Sequence, residues 1–286
     1  MKTATRLADL RAAVDDLRDR GRTLALVPTM GALHEGHLTL VREARKHADA
    51  VAVSIFVNPT QFGPNEDLDA YPRQLAEDSA MLEGEGVELL WAPDAATMYP
   101  EGFATSIAVE GVSAYFCGAN RPGHFDGVAT VVNKLFNQVR PDFALFGEKD
   151  FQQLAVIRRM ARDLDLTAPH ADAILGVPTV RESDGLALSS RNRYLSASER
   201  EAAAQLPLAM REAVRSMERG GDVPATLAAL EAHLLQAGFA SVDYAALADA
   251  DSLQPVDTLG KGPSRLLVAA RIGSTRLIYN LPVSPA

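Results

Sequence analysis

Two histidines three residues apart, His34 and His37, stand in the run Pro28-Thr29-Met30-Gly31-Ala32-Leu33-His34-Glu35-Gly36-His37. The residues before the run are apolar enough for a buried strand, and those after it have helical periodicity, so the pair falls at a helix start. Free backbone N–H groups and the positive end of the helix dipole favour a phosphate at such a point. Gly31 and Gly36 let the chain approach a ligand closely. Imidazoles beside that position can stabilise charge developing on a phosphate during displacement. A bare His-x-x-His could also be half of a zinc site, but zinc wants further ligands, and no His, Glu or Cys constellation stands at a matching spacing.

Three further polar segments follow apolar runs. Asn58 and Gln61, in residues 58–67, carry amides that donate and accept, which suits hydroxyl and carboxylate recognition, although Asn, Pro and Gly there also make turns. In Gly147-Glu148-Lys149-Asp150-Phe151-Gln152-Gln153, Lys149 is a compact charge for phosphate and Asp150 could accept from a ribose hydroxyl. The same triplet also reads as a solvated charge cluster at a helix start. Further on, Leu188-Ser189-Ser190-Arg191 offers two hydroxyls and a guanidinium to terminal phosphates, in a loop that could close on a ligand. Residues 118–127 form a Gly-rich segment too long for a plain turn, which suggests a binding or lid element.

The elements that must position these groups are legible as alternating patterns. Residues 23–27, 51–57, 87–91 and 142–146 are short apolar runs of the kind buried on both faces of a parallel sheet. Helical patterns lie at 38–47, 75–84, 128–139 and 151–164, and residues 1–21 read as a first amphipathic helix. This alternation predicts an α/β fold with a Rossmann-like, doubly wound parallel sheet, whose ligands bind beyond the carboxyl ends of the strands. After residue 181 the texture changes to Ala-rich helices at 196–219 and 223–237, then antiparallel strands at 241–247, 265–272 and 275–281. The last two are joined by a tight turn at Gly273 and Ser274. The expected division is a nucleotide- and acid-binding domain at 1–182 and a smaller α+β domain at 183–286 that closes over the active site.

Composition narrows the function. With 47% hydrophobic and 23% charged residues, the chain is an ordinary globular sequence. A net charge of −9 without a basic stripe argues against nucleic acid as a partner. The apolar runs are far shorter than the roughly 20 residues needed to span a bilayer, so no membrane role is expected. Cys117 is the only cysteine, which excludes an internal disulfide, fits a reducing cytoplasmic compartment and reads as a small buried apolar residue.

Taken together and in this order, segments 28–37, 56–63, 147–153 and 186–192 resemble the pantoate–β-alanine ligase family, which belongs with nucleotidylyl transferases and class I aminoacyl-tRNA synthetases. The resemblance spans nearly the whole chain. It implies that the carboxylate of pantoate attacks the α-phosphorus of ATP to give pantoyl adenylate and pyrophosphate. The amine of β-alanine then displaces AMP, giving pantothenate on the route to coenzyme A. By the same resemblance Met30, Gly31, Ala32, Leu33, His34, Glu35, Gly36 and His37 contact ATP, with His34 and His37 facing the phosphates and His37 the proton donor. Lys149 neutralises phosphate, Gly147, Glu148 and Asp150 sit by the nucleoside, Val180 lies by the adenine, and Leu188, Ser189, Ser190 and Arg191 close over the phosphates. Gln61, Gln153 and Asn58 serve the pantoate site, with Gln61 also near β-alanine. Mg2+ rides on the ATP phosphates, so no protein metal site is implied, and a homodimer is. Residues 167–172 make a longer connection than is usual in that family. A dinucleotide-forming nucleotidylyltransferase would share the histidines but want Arg or Lys where this chain has amides. A nucleotide sensor would have little use for both histidines.

Overall fold

The computed structural model describes residues 1–64 and 66–284; Asn65, within the amide-bearing segment 58–67, lies outside the described residues. The chain runs β1 (Lys2–Ala4), α1 (Leu7–Asp19), β2 (Leu24–Thr29), α2 (Glu35–Ala44), β3 (Ala50–Ile55), α3 (Leu75–Gly84), β4 (Leu89–Trp91), α4 (Ala95–Met98), α5 (Cys117–Asn120), α6 (His124–Val139) and β5 (Phe143–Gly147). It continues through α7 (Phe151–Asp163), β6 (Ile174–Val177), α8 (Ala197–Ala203), α9 (Gln205–Glu218), α10 (Val223–Gln236), β7 (Ser241–Asp249), β8 (Ser264–Ile272) and β9 (Thr275–Val283). Two compact units result. One comprises Met1–Val109, Arg121–Glu148 and Gln153–Pro178, and the other Glu110–Asn120, Lys149–Gln152 and the chain from Thr179 onward.

In the first unit six strands lie in the order β1-β4-β3-β2-β5-β6, every neighbouring pair parallel. From β2 the chain steps outward to β3 and β4, then returns to place β5 on the other side of β2. The connections therefore diverge between β2 and β5, the switch point at which open α/β sheets leave a crevice. Leu24, Ala25, Leu26 and Val27 are completely buried because both faces are covered. Ala25 and Val27 share an apolar cluster with Leu33, Leu40 and Val41. Strand alternation sends Leu24 and Leu26 to the opposite face. There α6 packs on β2 and α1 packs on α6.

The second unit carries the antiparallel sheet β7-β8-β9, with α10 against β7 and α9 against β9. Its core includes Leu206, Met210, Leu234, Leu247, Leu266 and Ile272. Pairing of Ile272 with Thr275 leaves Gly273 and Ser274 as a two-residue turn, and the φ of 52° at Gly273 is one that glycine adopts without strain.

Several expectations need correction. The helix read over residues 1–21 starts only at Leu7, because Lys2, Thr3 and Ala4 pair with Leu89, Leu90 and Trp91 as an edge strand. The helix read over 196–219 is two helices, divided at Ala204. The Gly-rich segment 118–127, read as a loop for binding or as a lid, is not an open loop. Gly118–Asn120 belong to α5, and the first turn of α6 takes His124, Phe125, Asp126 and Gly127. The connection at 167–172 folds back on itself through a Thr167–His170 bridge and a 3-10 turn, Ala171–Ala173, which feeds β6. Among the described residues no helix is long and apolar enough to cross a membrane.

Candidate active site

The loop from β2 to α2 is built on left-handed backbone: φ is 83° at Gly31 and 51° at Ala32. An added Cβ at Gly31 would stand 3.0 Å from Asp78 Oδ2 and 3.1 Å from Ile55 Cγ2, so the position is closed to larger residues by space as well as by torsion. Asp78, on α3 and completely buried, holds this turn. Its Oδ2 accepts from the Ala32 N–H and its Oδ1 from the Leu33 N–H, both at 2.9 Å, and Gln74 Nε2 donates to Oδ1 at 3.2 Å.

Both histidines cap the helix they begin. His34 is the N-cap, and its Nδ1 accepts from the Gly36 N–H at 3.1 Å. His37 Nδ1 in turn accepts from the His34 N–H at 3.3 Å, which closes a capping box with imidazoles in place of the usual hydroxyl and carboxylate. The rings lie 4.2 Å apart between centroids. Because each Nδ1 accepts, each neutral ring carries its proton on Nε2 and is a donor through that atom. Glu35 occupies the first helical position and pairs with Arg42, which also binds Glu85.

One expectation changes here. The N–H groups of Ala32, Leu33, His34 and Gly36 are engaged within the chain, and that of Gly31 donates to Thr29 Oγ1 at 3.2 Å. These groups do not form an open cradle for an anion. The helix dipole and the two imidazoles are what this loop brings to the site instead.

Beyond β3, Asn58 is 1% exposed and governs a short polar chain. Its Oδ1 accepts from Tyr99 OH at 2.7 Å and Thr60 Oγ1 at 3.0 Å, while its Nδ2 donates to Gln61 Oε1 at 3.0 Å and Gly127 O at 3.1 Å. Gln61 Nε2 lies 3.3 Å from Met30 Sδ, which ties the amide pair to the histidine loop. Gly127 permits this arrangement, since a Cβ there would come within 2.5 Å of Thr60 O. The Gln61 carbonyl also receives His124 Nδ1 at 2.8 Å, so His124 carries its proton on that nitrogen and accepts from Arg121 Nη1 at 2.9 Å through Nε2. Arg121 grips Glu66 with two bonds of 2.6 and 2.5 Å. Burial works against the Glu66 carboxylate, but Arg121 outweighs it and holds the carboxyl below its usual range. Burial raises the Tyr99 hydroxyl, keeping it protonated and able to donate.

Met30, His34, His37, Asn58 and Gln61 are thus gathered at the carboxyl edge of β2 and β3. Gly147 ends β5 and Glu148 follows it directly. Gln153, half-buried on α7, is distinguished from its neighbour. Gln152 is consumed structurally, accepting from Cys117 N at 3.0 Å and donating to Val112 O at 3.0 Å and Tyr115 O at 2.8 Å.

In the second unit, Lys149 Nζ lies 3.7 Å from Asp150 Oδ2, and the Lys149 carbonyl is fixed by Asn280 Nδ2 at 2.9 Å. Val180 and Leu188 face one another across a small hairpin, joined by a 3.0 Å bond from Leu188 N to Val180 O. Ser189 caps the 3-10 turn Ser190–Tyr194 by accepting from Arg191 N at 3.3 Å. The hairpin is anchored by Arg181, whose guanidinium lies 4.1 Å from the centre of the Tyr279 ring, and by Tyr279 OH, which donates to Gly185 O at 2.7 Å. Cys117 is buried, but it also takes part in a polar cluster with Tyr244 OH at 3.1 Å and Arg276 Nη1 at 3.5 Å.

Asp78 and Tyr99 are residues that sequence patterns did not single out, and Glu66, Arg121 and His124 stood out only as members of segments 58–67 and 118–127. Each acts on a partner far along the chain: 46 residues separate Asp78 from Ala32, and 41 separate Tyr99 from Asn58. Only proximity in the fold reveals them.

A doubly wound parallel sheet with a self-capped histidine pair at its switch point, next to an oriented amide pair, is the build of an α/β enzyme acting on small anionic substrates. The sequence matches the model of the family described as Pantoate-beta-alanine ligase over residues 2–282, and the chain belongs to that family of ligases. A pantothenate synthetase of Novosphingobium aromaticivorans is 68% identical over 285 residues, covering 100% of both chains. A second, from Rhizorhabdus wittichii, is 63% identical with 100% of both chains covered. The crystal structure of pantothenate synthetase from Thermus thermophilus superposes with a TM-score of 0.92 at 48% identity and full coverage of both chains. A pantoate-beta-alanine ligase from Francisella tularensis, complexed with β-γ ATP and β-alanine, gives a TM-score of 0.82 at 33% identity, covering 98% of this chain and 97% of its own.

Proposed function

We propose that the protein joins pantoate to β-alanine at the expense of ATP, through a pantoyl adenylate. In the first step a pantoate carboxylate oxygen bonds to the α-phosphorus, the bond from that phosphorus to the bridging oxygen breaks, and pyrophosphate leaves. In the second the β-alanine amine bonds to the acyl carbon, AMP leaves with the former carboxylate oxygen, and the amine gives up a proton. No covalent enzyme intermediate is needed. Positioned charge and donors suffice for adenylyl transfer.

The observation that carries this reading is the imidazole capping box, which fixes His34 and His37 as Nε2–H donors at a helix start. We assign these donors to the ATP phosphates, with His37 the hydrogen-bond donor to the reacting group. Lys149 neutralises the departing pyrophosphate, assisted by Ser189, Ser190 and Arg191. Gly147, Glu148 and Asp150 serve the nucleoside and Val180 the adenine, while Leu188 closes over the phosphates with Ser189, Ser190 and Arg191. Gln61 and Gln153 hold pantoate, with Asn58 orienting Gln61. Mg2+ would enter on the triphosphate and supply further charge neutralisation. The complex of the Francisella tularensis ligase with a form of ATP and β-alanine supports the substrate set. Residues 183–286 would form the domain that closes on these substrates, in a cytoplasmic homodimer.

Exchange of labelled pyrophosphate into ATP tests the reading. It should require pantoate, proceed without β-alanine, vanish in Lys149→Ala, and fall by roughly two to four decades in His37→Ala with an unchanged circular dichroism spectrum. Exchange that needs β-alanine, or that proceeds without any acid, would refute the adenylate.

A further inference from the structure

A glutamine amide can donate or accept, so Gln61 alone does not distinguish an acid from a neutral ligand. Its neighbours settle the matter. Three donors converge on Asn58 Oδ1: Tyr99 OH at 2.7 Å, Thr60 Oγ1 at 3.0 Å and Thr60 N at 3.4 Å. The hydroxyls could serve either amide end, but the Thr60 N–H can only donate and Gly127 O can only accept, so the Asn58 amide has one orientation, with Oδ1 toward Thr60 and Tyr99. Its Nδ2 then has one proton for Gly127 O at 3.1 Å and one for Gln61 Oε1 at 3.0 Å. With Oε1 occupied by a donor, Gln61 has Nε2 to present. That atom's partner in the chain, Met30 Sδ at 3.3 Å, is a weak acceptor that a ligand oxygen would displace.

The shortest bond made to the Asn58–Gln61 pair is the one from Tyr99. Its ring is held by Phe103, with centroids 5.1 Å apart, and by Phe56 at 6.2 Å, so the hydroxyl is aimed by packing. We propose that Tyr99 is a positioning residue for acid recognition: its hydroxyl holds the Asn58–Gln61 amide pair in the polarity that Thr60 N–H and Gly127 O select, so that Gln61 turns Nε2 to its ligand as an N–H donor. The identity of that ligand as pantoate rests on the function proposed above. The polarity itself does not.

Tyr99→Phe deletes the hydroxyl and keeps the ring. The KM for pantoate should rise about 3- to 10-fold, the effect of one lost bond to a buried oxygen, while the KM for ATP stays as in the parent. In substrate-free, 15N-labelled protein the side-chain amide resonances of Asn58 and Gln61 should shift. Asn58→Asp keeps the acceptor for Tyr99 but removes both donor protons, so Gln61 turns Nε2 inward and shows Oε1 to the ligand. Its KM for pantoate should rise about 10- to 100-fold, the effect of a buried acceptor meeting an acceptor. Unmoved Gln61 resonances in Tyr99→Phe, or KM values for both substrates raised alike, would overturn the proposal. Shifted resonances in a protein that does not use pantoate would support the amide polarity and overturn the substrate assignment instead.

Discussion

Replacing Asp78 by alanine should unsettle the histidine loop more than its distance from any substrate suggests. The carboxylate is completely buried and accepts two backbone N–H groups, those of Ala32 and Leu33, residues that are themselves 0% and 1% exposed. Without it both donors lose their partner, at about 1–3 kcal/mol each, or about 2–6 kcal/mol together. Deleting a buried carboxylate also relieves its own desolvation, which moves the expectation to the lower half, about 2–4 kcal/mol. Against a total stability of about 5–15 kcal/mol this is large. For a chain of this size it corresponds to a fall in melting temperature of roughly 4–16 °C.

The functional effect follows from the left-handed turn at Gly31 and Ala32, which delivers the chain to the His34 cap. A displacement of the imidazoles by about 1 Å would cost on the order of 10²-fold in turnover. Asp78→Asn offers an intermediate case, since its amide can accept one N–H but turns a donor toward the other. Thermal melts followed by circular dichroism, with steady-state turnover on the same samples, give both quantities. If Asp78→Ala melted with the parent and turned over at the parent's rate, the loop would owe its shape to something other than this carboxylate.

Two other outcomes are expected. Gln153→Ala should weaken pantoate far more than ATP when each is titrated separately, because Gln153 is assigned to the acid; equal losses would move it out of that pocket. Glu66 has a carboxyl held below its usual range, so its contribution to stability is complete above the unfolded-state value near ~4.3 and is lost as pH falls through the lower folded value. Glu66→Gln should therefore melt lower than the parent at neutral pH and converge with it in acid, and a constant difference down to the acid limit would argue against the Arg121 pair as the cause.

The parallel sheet was legible because its central strands are buried on both faces and so must be short, continuous apolar runs. β1 and β6 were not. Lys2–Ala4 is a three-residue edge, and Ile174–Val177 contains Gly176, so neither has enough apolar sequence to stand out. Gly176 has a packing reason, since a Cβ there would meet Leu154 Cδ2 at 2.8 Å. The 118–127 segment read as a loop for a related reason. Gly123 has φ 79° and supplies a left-handed entry to α6, and Gly127 allows close approach to Thr60, so its glycines answer to packing on either side of a helix start. Glycine content alone does not separate a mobile loop from a crowded contact.

At the active site, local spacing revealed the groups that can do chemistry but not what holds them or what they leave available. His34 and His37 fall at a helix start, as their sequence context suggests, and by local reading alone that position promises open N–H groups for phosphate. The fold engages the neighbouring donors otherwise: Asp78, far along the chain, takes the loop N–H groups of Ala32 and Leu33, and the two imidazoles take those of His34 and Gly36. The consequence is chemical. Each N–H bond made to Nδ1 favours the Nε2–H tautomer of a neutral ring, so these backbone donors orient two imidazoles. Asn58 does the same for Gln61, receiving donors from Tyr99 and Thr60 and passing on donor polarity. In both places the backbone and buried polar groups orient side chains rather than bind ligand directly. Substitutions that preserve the named site residues but remove Asp78 or Tyr99 should therefore change what the site recognises.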